Sequence, residues 1–130
     1  MPARIAFLGP ASIVVVPVVE ELELFRVVHV ERPHHPWLAT DLTSNYERGA
    51  RPRRIERVFS VVHMAVSTFT TPAAARALAR RYPDIGAHIA RLRLPGGAGF
   101  CVDQPPAGAH RSLWGAPLQL AACVVDVEPV

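Results

Sequence analysis

The most polar stretch of the chain, Asp41–Arg57, brings hydroxyl, amide, phenol and guanidinium groups together. Ser44, Asn45 and Tyr46 lie in its first half, and five arginines follow, with Arg51 among them. Hydroxyls and amides can hydrogen-bond a ribose, and a guanidinium binds phosphate oxygens as a fork. We therefore predict a long surface loop, with one helical turn, that contacts a ligand. The alternative is a solvated loop held by its own side-chain turns.

An arginine interrupts an otherwise apolar face of a predicted strand. Leu22–Val30 reads as a β-strand, and Arg26 shares a face with Val28 in the two-residue period of a strand. A buried arginine needs a partner. One interpretation pairs it with Asp126 or Glu128 across the sheet, and the other gives it an anionic ligand.

Two hydroxyl side chains, Ser67 and Thr68, stand near the end of the apolar run Val58–Phe69. This run is typical of a strand that is buried on both faces. A helix is predicted directly after it. A hydroxyl at that point can bond a ligand at the edge of a cleft, or it can serve the helix cap.

A third group, His110–Gly115, contains a histidine, an arginine, a serine and a tryptophan within six residues. His110 can act as an acid, a base or a hydrogen-bond donor to a ligand. The alternative is an exposed loop histidine beside a core tryptophan. The six histidines show no metal-ligand spacing, and Gly96–Gly99 joins two strands, so we expect neither a metal site nor a phosphate-binding glycine loop.

The elements that must position these groups are short. Thr70 and Thr71 can cap a helix, Pro72 suits its first position, and Pro83 ends it, which predicts a helix over about Pro72–Tyr82. Strands are predicted over residues 13–19 (as an edge strand, because of Pro17), 22–30, 58–69, 87–94, 100–102, 110–114 and 122–127. In the last strand, positions 123, 125 and 127 share one face. The fold class is therefore α+β with a mostly antiparallel sheet.

Composition indicates one domain spanning residues 1–130. Half of the residues are hydrophobic and the net charge is +3, which is small for a nucleic-acid binder. Pro10 and Pro17 break the first apolar run, which argues against a signal peptide or a membrane span. We expect a cytoplasmic protein; the pattern leaves open whether residues 1–21 belong to the folded core.

The order of these groups resembles that of a set of small bacterial proteins to which no activity is assigned. The shared features are a strand-borne arginine, a Ser-Asn loop ending in Arg-Pro, a Ser-x-Phe strand end before an alanine-rich helix, and a His-x-x-x-Trp-Gly segment: Arg26, Ser44-Asn45, Arg51-Pro52, Ser67 with Phe69, and His110 with Trp114-Gly115. The resemblance extends over Phe25–Val130.

At the level of order alone, the chain also resembles the ADP-ribosyltransferase superfamily, including its NAD-degrading toxin branch. That resemblance implies that Arg26 holds the phosphates of NAD and that Ser67 and Thr68 frame the nicotinamide pocket. It gives Glu128, or Asp126 on the same face, the role of stabilising the positive charge that develops as nicotinamide leaves. The chain departs from that pattern in having Phe69 where a serine is frequent.

Two functions follow as hypotheses. The first is an NAD-consuming transferase or glycohydrolase, which requires Arg26 and the acid to share a cleft on one sheet face. The second is a non-catalytic module that binds a protein partner or a small anionic ligand through the arginine-rich loop. Nucleic acid is the weaker partner, because Tyr46 is the one aromatic residue in that loop.

Overall fold

Eight antiparallel strands form one sheet in the computed structural model, which describes residues 3–6, 12–49, 62, 64–104 and 108–130. The strands are β1 Ala3–Ala6, β2 Ser12–Pro17, β3 Leu22–Val28, β4 Val66–Phe69, β5 His88–Leu94, β6 Cys101–Asp103, β7 His110–Trp114 and β8 Val124–Pro129. They lie in the order β1-β2-β6-β7-β4-β3-β5-β8. The predicted α+β class with a mostly antiparallel sheet is confirmed.

Strand β2 lies inside the sheet, so its prediction as an edge strand was wrong. It pairs with β1 on one side and with β6 on the other. Pro17 is tolerated because it is the last residue of the strand, where a missing N–H costs little. Hydrogen bonding to β6 also brings this early segment into the same sheet as the rest of the described chain.

Within the described ranges, three short α-helices accompany the sheet: α1 Leu38–Asp41, α2 Pro72–Arg81 and α3 Pro117–Ala122. The predicted main helix is confirmed and ends one residue early, with Tyr82 as its C-cap. The Thr71 side chain accepts a hydrogen bond from Ala74 N at 3.2 Å, and Pro72 occupies the first turn. A 3₁₀ helix, Pro83–Ile85, follows directly.

The sheet has a hydrophobic cluster on each face. The larger contains Leu24 and Leu92 from the strands, together with Leu38 of α1 and Leu120 of α3. The smaller packs Val27 and Ile89 against Ala75 and Ala79 of α2. Alternate residues of β3 and β5 therefore enter opposite cores, as the pleat of a strand requires.

A register shift at β8 changes the face assignments predicted for the last strand. The shift falls between Arg91 and Leu92 of β5. Val124 is buried in the larger core and Val127 packs against it, whereas Val125 is 42% exposed. The predicted common face of positions 123, 125 and 127 is wrong at Val125, because a bulge breaks the two-residue period.

Two predicted segments are only partly described. Of the polar loop Asp41–Arg57, Asp41 ends α1 and residues 42–49 form turns, while residues 50–57 lie outside the described part. Of the apolar run Val58–Phe69, only Val66–Phe69 is a described strand, since residues 64 and 65 form a turn and a bend.

The sheet opens between β3 and β4, because these two strands hardly pair. These strands share a single residue pair, Phe25 with Phe69, whereas β3 pairs with β5 along its whole length. Residues 26–28 and 66–68 therefore have no direct ladder between them. The candidate functional cleft lies at this divergence.

Candidate ligand-binding cleft between strands β3 and β4

A cleft of about 610 Å³ opens where β3 and β4 diverge, between the polar turn after α1 and the end of α2. This volume is in the range of small-molecule sites. It is lined by Arg26, Val27, His29, Asp41, Thr43, Asn45, Arg48, Ala65, Val66, Ser67, Phe69, Leu78, Tyr82, Asp84 and Ile85. Polar side chains come mainly from β3 and the turn after α1, and apolar ones from α2 and the 3₁₀ helix.

Arg26 joins the two sides of the divergence. Its Nε donates to the carbonyl oxygen of Asp41 at 2.7 Å, and its Nη1 donates to the carbonyl oxygen of Ser67 at 2.8 Å. The planar fork of a guanidinium suits two acceptors in fixed directions. Arg26 therefore replaces missing strand pairing with side-chain bonds, and it carries a positive charge into the cleft.

A histidine–carboxylate pair lies at the same wall. His29 Nδ1 is 2.7 Å from Asp41 Oδ1, and its Nε2 is 3.2 Å from the carbonyl oxygen of Asp84. Asp41 Oδ2 also accepts from the backbone N–H groups of His29 and Val30. The hydrogen bond with Asp41 raises the pKa of His29 above its ordinary 6.5, and the bond to Asp84 adds to this, against partial desolvation.

A second histidine pair lies beside the cleft. Ser67 Oγ is 2.8 Å from His110 Nε2 on the neighbouring strand β7. His110 is opposite Phe69 in the register, and the two rings meet edge to face with centroids 5.4 Å apart. Ser67 and Phe69 line the cleft. The order of the chain could not reveal this pair, because it depends on β4 and β7 being neighbours.

The residues predicted from the polar stretch divide into two groups. Asn45 lines the cleft beside Arg48, whose guanidinium donates to the Asn45 side-chain oxygen. Ser44 is 2% exposed and forms a capping box with Glu47, in which each side chain accepts from the other's backbone N–H. The prediction of a ligand contact for Ser44 is therefore corrected to a structural role; Tyr46 is 60% exposed and does not line the cleft.

Two further predicted residues take no part in the described cleft. Thr68 is fully buried, and its hydroxyl donates to the carbonyl oxygen of Arg111 at 2.8 Å, so its predicted ligand contact is corrected to a bond between strands. It points away from the cleft because it alternates with Ser67 along β4. Arg51 lies outside the described residues.

The acids predicted to be catalytic, Asp126 and Glu128, do not line the cleft. Arg26 is in register with Ala90, and Ala90 with Val127, so Asp126 and Glu128 point to the opposite face from Arg26. Glu128 instead forms an ion pair with Arg76 of α2 at 3.1 Å.

Both acids line a smaller cavity of about 210 Å³ that shares no lining residue with the cleft. The alternative assignment, an ion pair between either acid and Arg26, is excluded by the same register. Arg26 and Ser67 therefore both line the cleft. The condition stated for the transferase, that Arg26 and the predicted acid share a cleft on one sheet face, is not met by Asp126 or Glu128.

Sequence reasoning overlooked His29 as a site residue. It lies within the predicted strand Leu22–Val30, twelve residues before Asp41. No cue in the chain order pairs them, since the bond depends on how the turn folds back. The carboxylates that do line the cleft are Asp41 and Asp84.

Among the described residues, no group of three or more His, Cys, Asp or Glu side chains could hold a metal ion. Within the same residues, no helix has the length and apolar character to cross a membrane. Comparison with protein-family models, with curated proteins and with solved structures finds no match to this chain.

Proposed function

We propose that the cleft between β3 and β4 binds NAD and that the protein cleaves the bond between nicotinamide and ribose. The observation that carries this proposal is the meeting of Arg26 and Ser67. These are the arginine and the serine that the ADP-ribosyltransferase resemblance assigns to NAD. Both residues line one cleft, and the Arg26 guanidinium donates to the backbone carbonyl oxygen of Ser67 at 2.8 Å, while the Ser67 hydroxyl bonds to His110.

The two walls of the cleft match the two chemical parts of NAD. Arg26, Arg48 and Asn45 supply charge and hydrogen bonds for the pyrophosphate and ribose. Asp41 is already bonded to a histidine and two backbone N–H groups, which offsets its repulsion of phosphate. An apolar wall for a flat ring comes from Phe69, Leu78, Tyr82 and Ile85.

The chemistry requires electrostatic help at the ribose. As the glycosidic bond breaks, its electron pair goes to the nicotinamide nitrogen, and positive charge develops at the anomeric carbon. Carboxylates held near that carbon stabilise the charge. In this cleft the carboxylates are those of Asp41 and Asp84, so they take the role that the resemblance gave to Glu128.

The second candidate function is binding of an anionic ligand without catalysis. It is favoured by the bonding of Asp41, whose two side-chain oxygens accept from His29 and from backbone N–H groups. A carboxylate whose oxygens already accept these hydrogen bonds has a structural role in the wall of the cleft. The candidate keeps the same cleft and the same arginines, and it differs only in the absence of turnover.

The experiment is to incubate the protein with NAD, with and without a cell lysate that supplies acceptors, and to measure nicotinamide release by chromatography. Binding is followed by calorimetry. We expect Arg26→Lys to weaken NAD binding at least about tenfold, because a lysine cannot reproduce the fork. Glu128→Gln and Asp126→Asn are matched controls, and both should bind and turn over as the wild type does.

Three outcomes are informative. Release by the wild type, weakened by Arg26→Lys and unaffected by Glu128→Gln, supports the proposal. Binding without release selects the non-catalytic candidate. Release that disappears in Glu128→Gln would mean that the chemistry occurs at the smaller cavity, and the proposed cleft would be wrong.

A further inference from the structure

The Ser67–His110 pair has the geometry of a proton relay. The Ser67 oxygen and His110 Nε2 are 2.8 Å apart, which is a good hydrogen-bond distance for a hydroxyl and an imidazole. The two side chains come from adjacent antiparallel strands, β4 and β7, so the separation is set by the sheet. A pair fixed in this way is already positioned before a ligand arrives.

The two residues of the pair lie at different positions relative to the cleft. Ser67 lines the cleft, whereas His110 is exposed on β7 and is not a lining residue. The edge-to-face contact with Phe69 holds the imidazole ring from the side. A proton that leaves a molecule in the cleft therefore meets the serine oxygen first and the imidazole second.

We propose that Ser67 and His110 activate the nucleophile that attacks the ribose after nicotinamide departs, an inference that rests on the proposed function. The nucleophile is water or an acceptor hydroxyl. Its oxygen bonds to the anomeric carbon, and its proton passes to the Ser67 oxygen as the Ser67 proton passes to His110 Nε2. His110 ends as imidazolium, Ser67 is regenerated, and the glycosidic electron pair leaves with neutral nicotinamide.

The relay also specifies the acceptor class. An oxygen nucleophile that approaches Ser67 needs a proton acceptor, and a neutral imidazole can be that acceptor. A guanidinium nitrogen is too weak an acid for a neutral imidazole to deprotonate. The products are therefore free ADP-ribose from water, or an O-linked ADP-ribosyl group on a hydroxyl. In this scheme Ser67 is the catalytic residue, and His110 is a positioning residue that acts through it.

The test measures nicotinamide release and NAD binding for the wild type, Ser67→Ala, His110→Gln and the double variant. General-base groups contribute roughly 100- to 10,000-fold. We expect each single variant to lose about 100-fold in kcat with a KM within about threefold of the wild type. The double variant should lose no more than either single variant, because the two groups act as a unit. His34→Asn is the matched control, an exposed histidine with positive φ that asparagine tolerates.

The pH profile separates a relay from a structural role. The wild-type rate should fall as the pH drops through the histidine range, about pH 8 to pH 5, because a protonated imidazole accepts no proton. His110→Gln should lack this limb. Other titratable or charged groups near the pair are Arg111, which donates to the His110 carbonyl oxygen, Asp103, which accepts from Ser112 N–H, and His29 across the cleft. The limb should persist in His29→Gln.

The outcomes distinguish the two proposals. A wild type that releases nicotinamide while His110→Gln keeps its rate and its pH limb overturns the relay and leaves the proposed function intact. A wild type that binds NAD but releases no nicotinamide overturns both. Loss of the limb in His110→Gln, with NAD affinity preserved, supports the relay.

Discussion

Replacing Arg26 with methionine removes the side-chain bonds that tie β3 to the two segments bordering the cleft. Methionine keeps most of the length of the side chain and loses its charge and donors. The variant loses the bonds to the carbonyl oxygens of Asp41 and Ser67. We expect the protein to remain folded but to be clearly less stable.

The magnitude follows from the two bonds. A hydrogen bond from a charged donor contributes about 1.5–3 kcal/mol, and Arg26 is only partly buried, so we expect a combined loss of about 2–4 kcal/mol. A chain of this length has a total stability of about 6–20 kcal/mol. The midpoint of thermal unfolding should fall by about 10 °C. Arg26→Lys, which keeps one charge, should lose about half as much free energy.

Urea unfolding followed by circular dichroism measures this loss. Arg32→Met is the matched control, because Arg32 is exposed and pairs only with its neighbour Glu31 among the contacts described; it should change stability by less than about 0.5 kcal/mol. If Arg26→Met is as stable as the control, the bridge across the divergence of β3 and β4 does not hold in solution.

His29 lines the cleft, whereas Gly86 and Thr71 adjoin the 3₁₀ helix and α2, which border it. His29→Gln should lower the free energy of unfolding more at about pH 5.5 than at about pH 8.5. The bond to Asp41 raises the pKa of His29 in the folded protein, so the stabilisation is complete below the ordinary pKa and disappears as the pH rises through the folded-state pKa. Urea titrations that show the opposite order would refute the His29–Asp41 pair. Gly86→Ala should cost at least about 3 kcal/mol, since φ is 149° and a Cβ would lie 2.4 Å from the Val28 carbonyl oxygen; an unchanged thermal midpoint would refute this close approach. Thr71→Ala should cost about 1 kcal/mol by removing the cap of α2, and equal stability in urea would show that the cap contributes nothing.

Local sequence patterns predicted the helices and strands whose own residues carry a capping or alternation signal. The threonine cap and the proline at its first turn identified α2, and the alternation of residues 88–94 identified β5. A charged residue in an apolar strand was enough to single out Arg26. These features depend on residues that are neighbours in sequence, so the chain order contains them.

Partners across the sheet could not be predicted in the same way. Whether Arg26 faces Glu128 depends on which strands are adjacent and on their register, and neither follows from one strand's own pattern. The Ser67–His110 pair was missed for the same reason. Ser44 is a different case, because its spacing to Glu47 is a capping-box signal that sequence analysis could have used.

The proposed cleft can be tested by locating bound NAD on the protein. Backbone amide NMR spectra recorded during a titration with NAD would report it residue by residue. We expect saturable shifts at Arg26, Asn45 and Ser67, which line the cleft, and no shift at Arg91 and Glu128, which line the smaller cavity. Shifts confined to Arg91 and Glu128, or none at millimolar NAD, would contradict the assignment of the cleft.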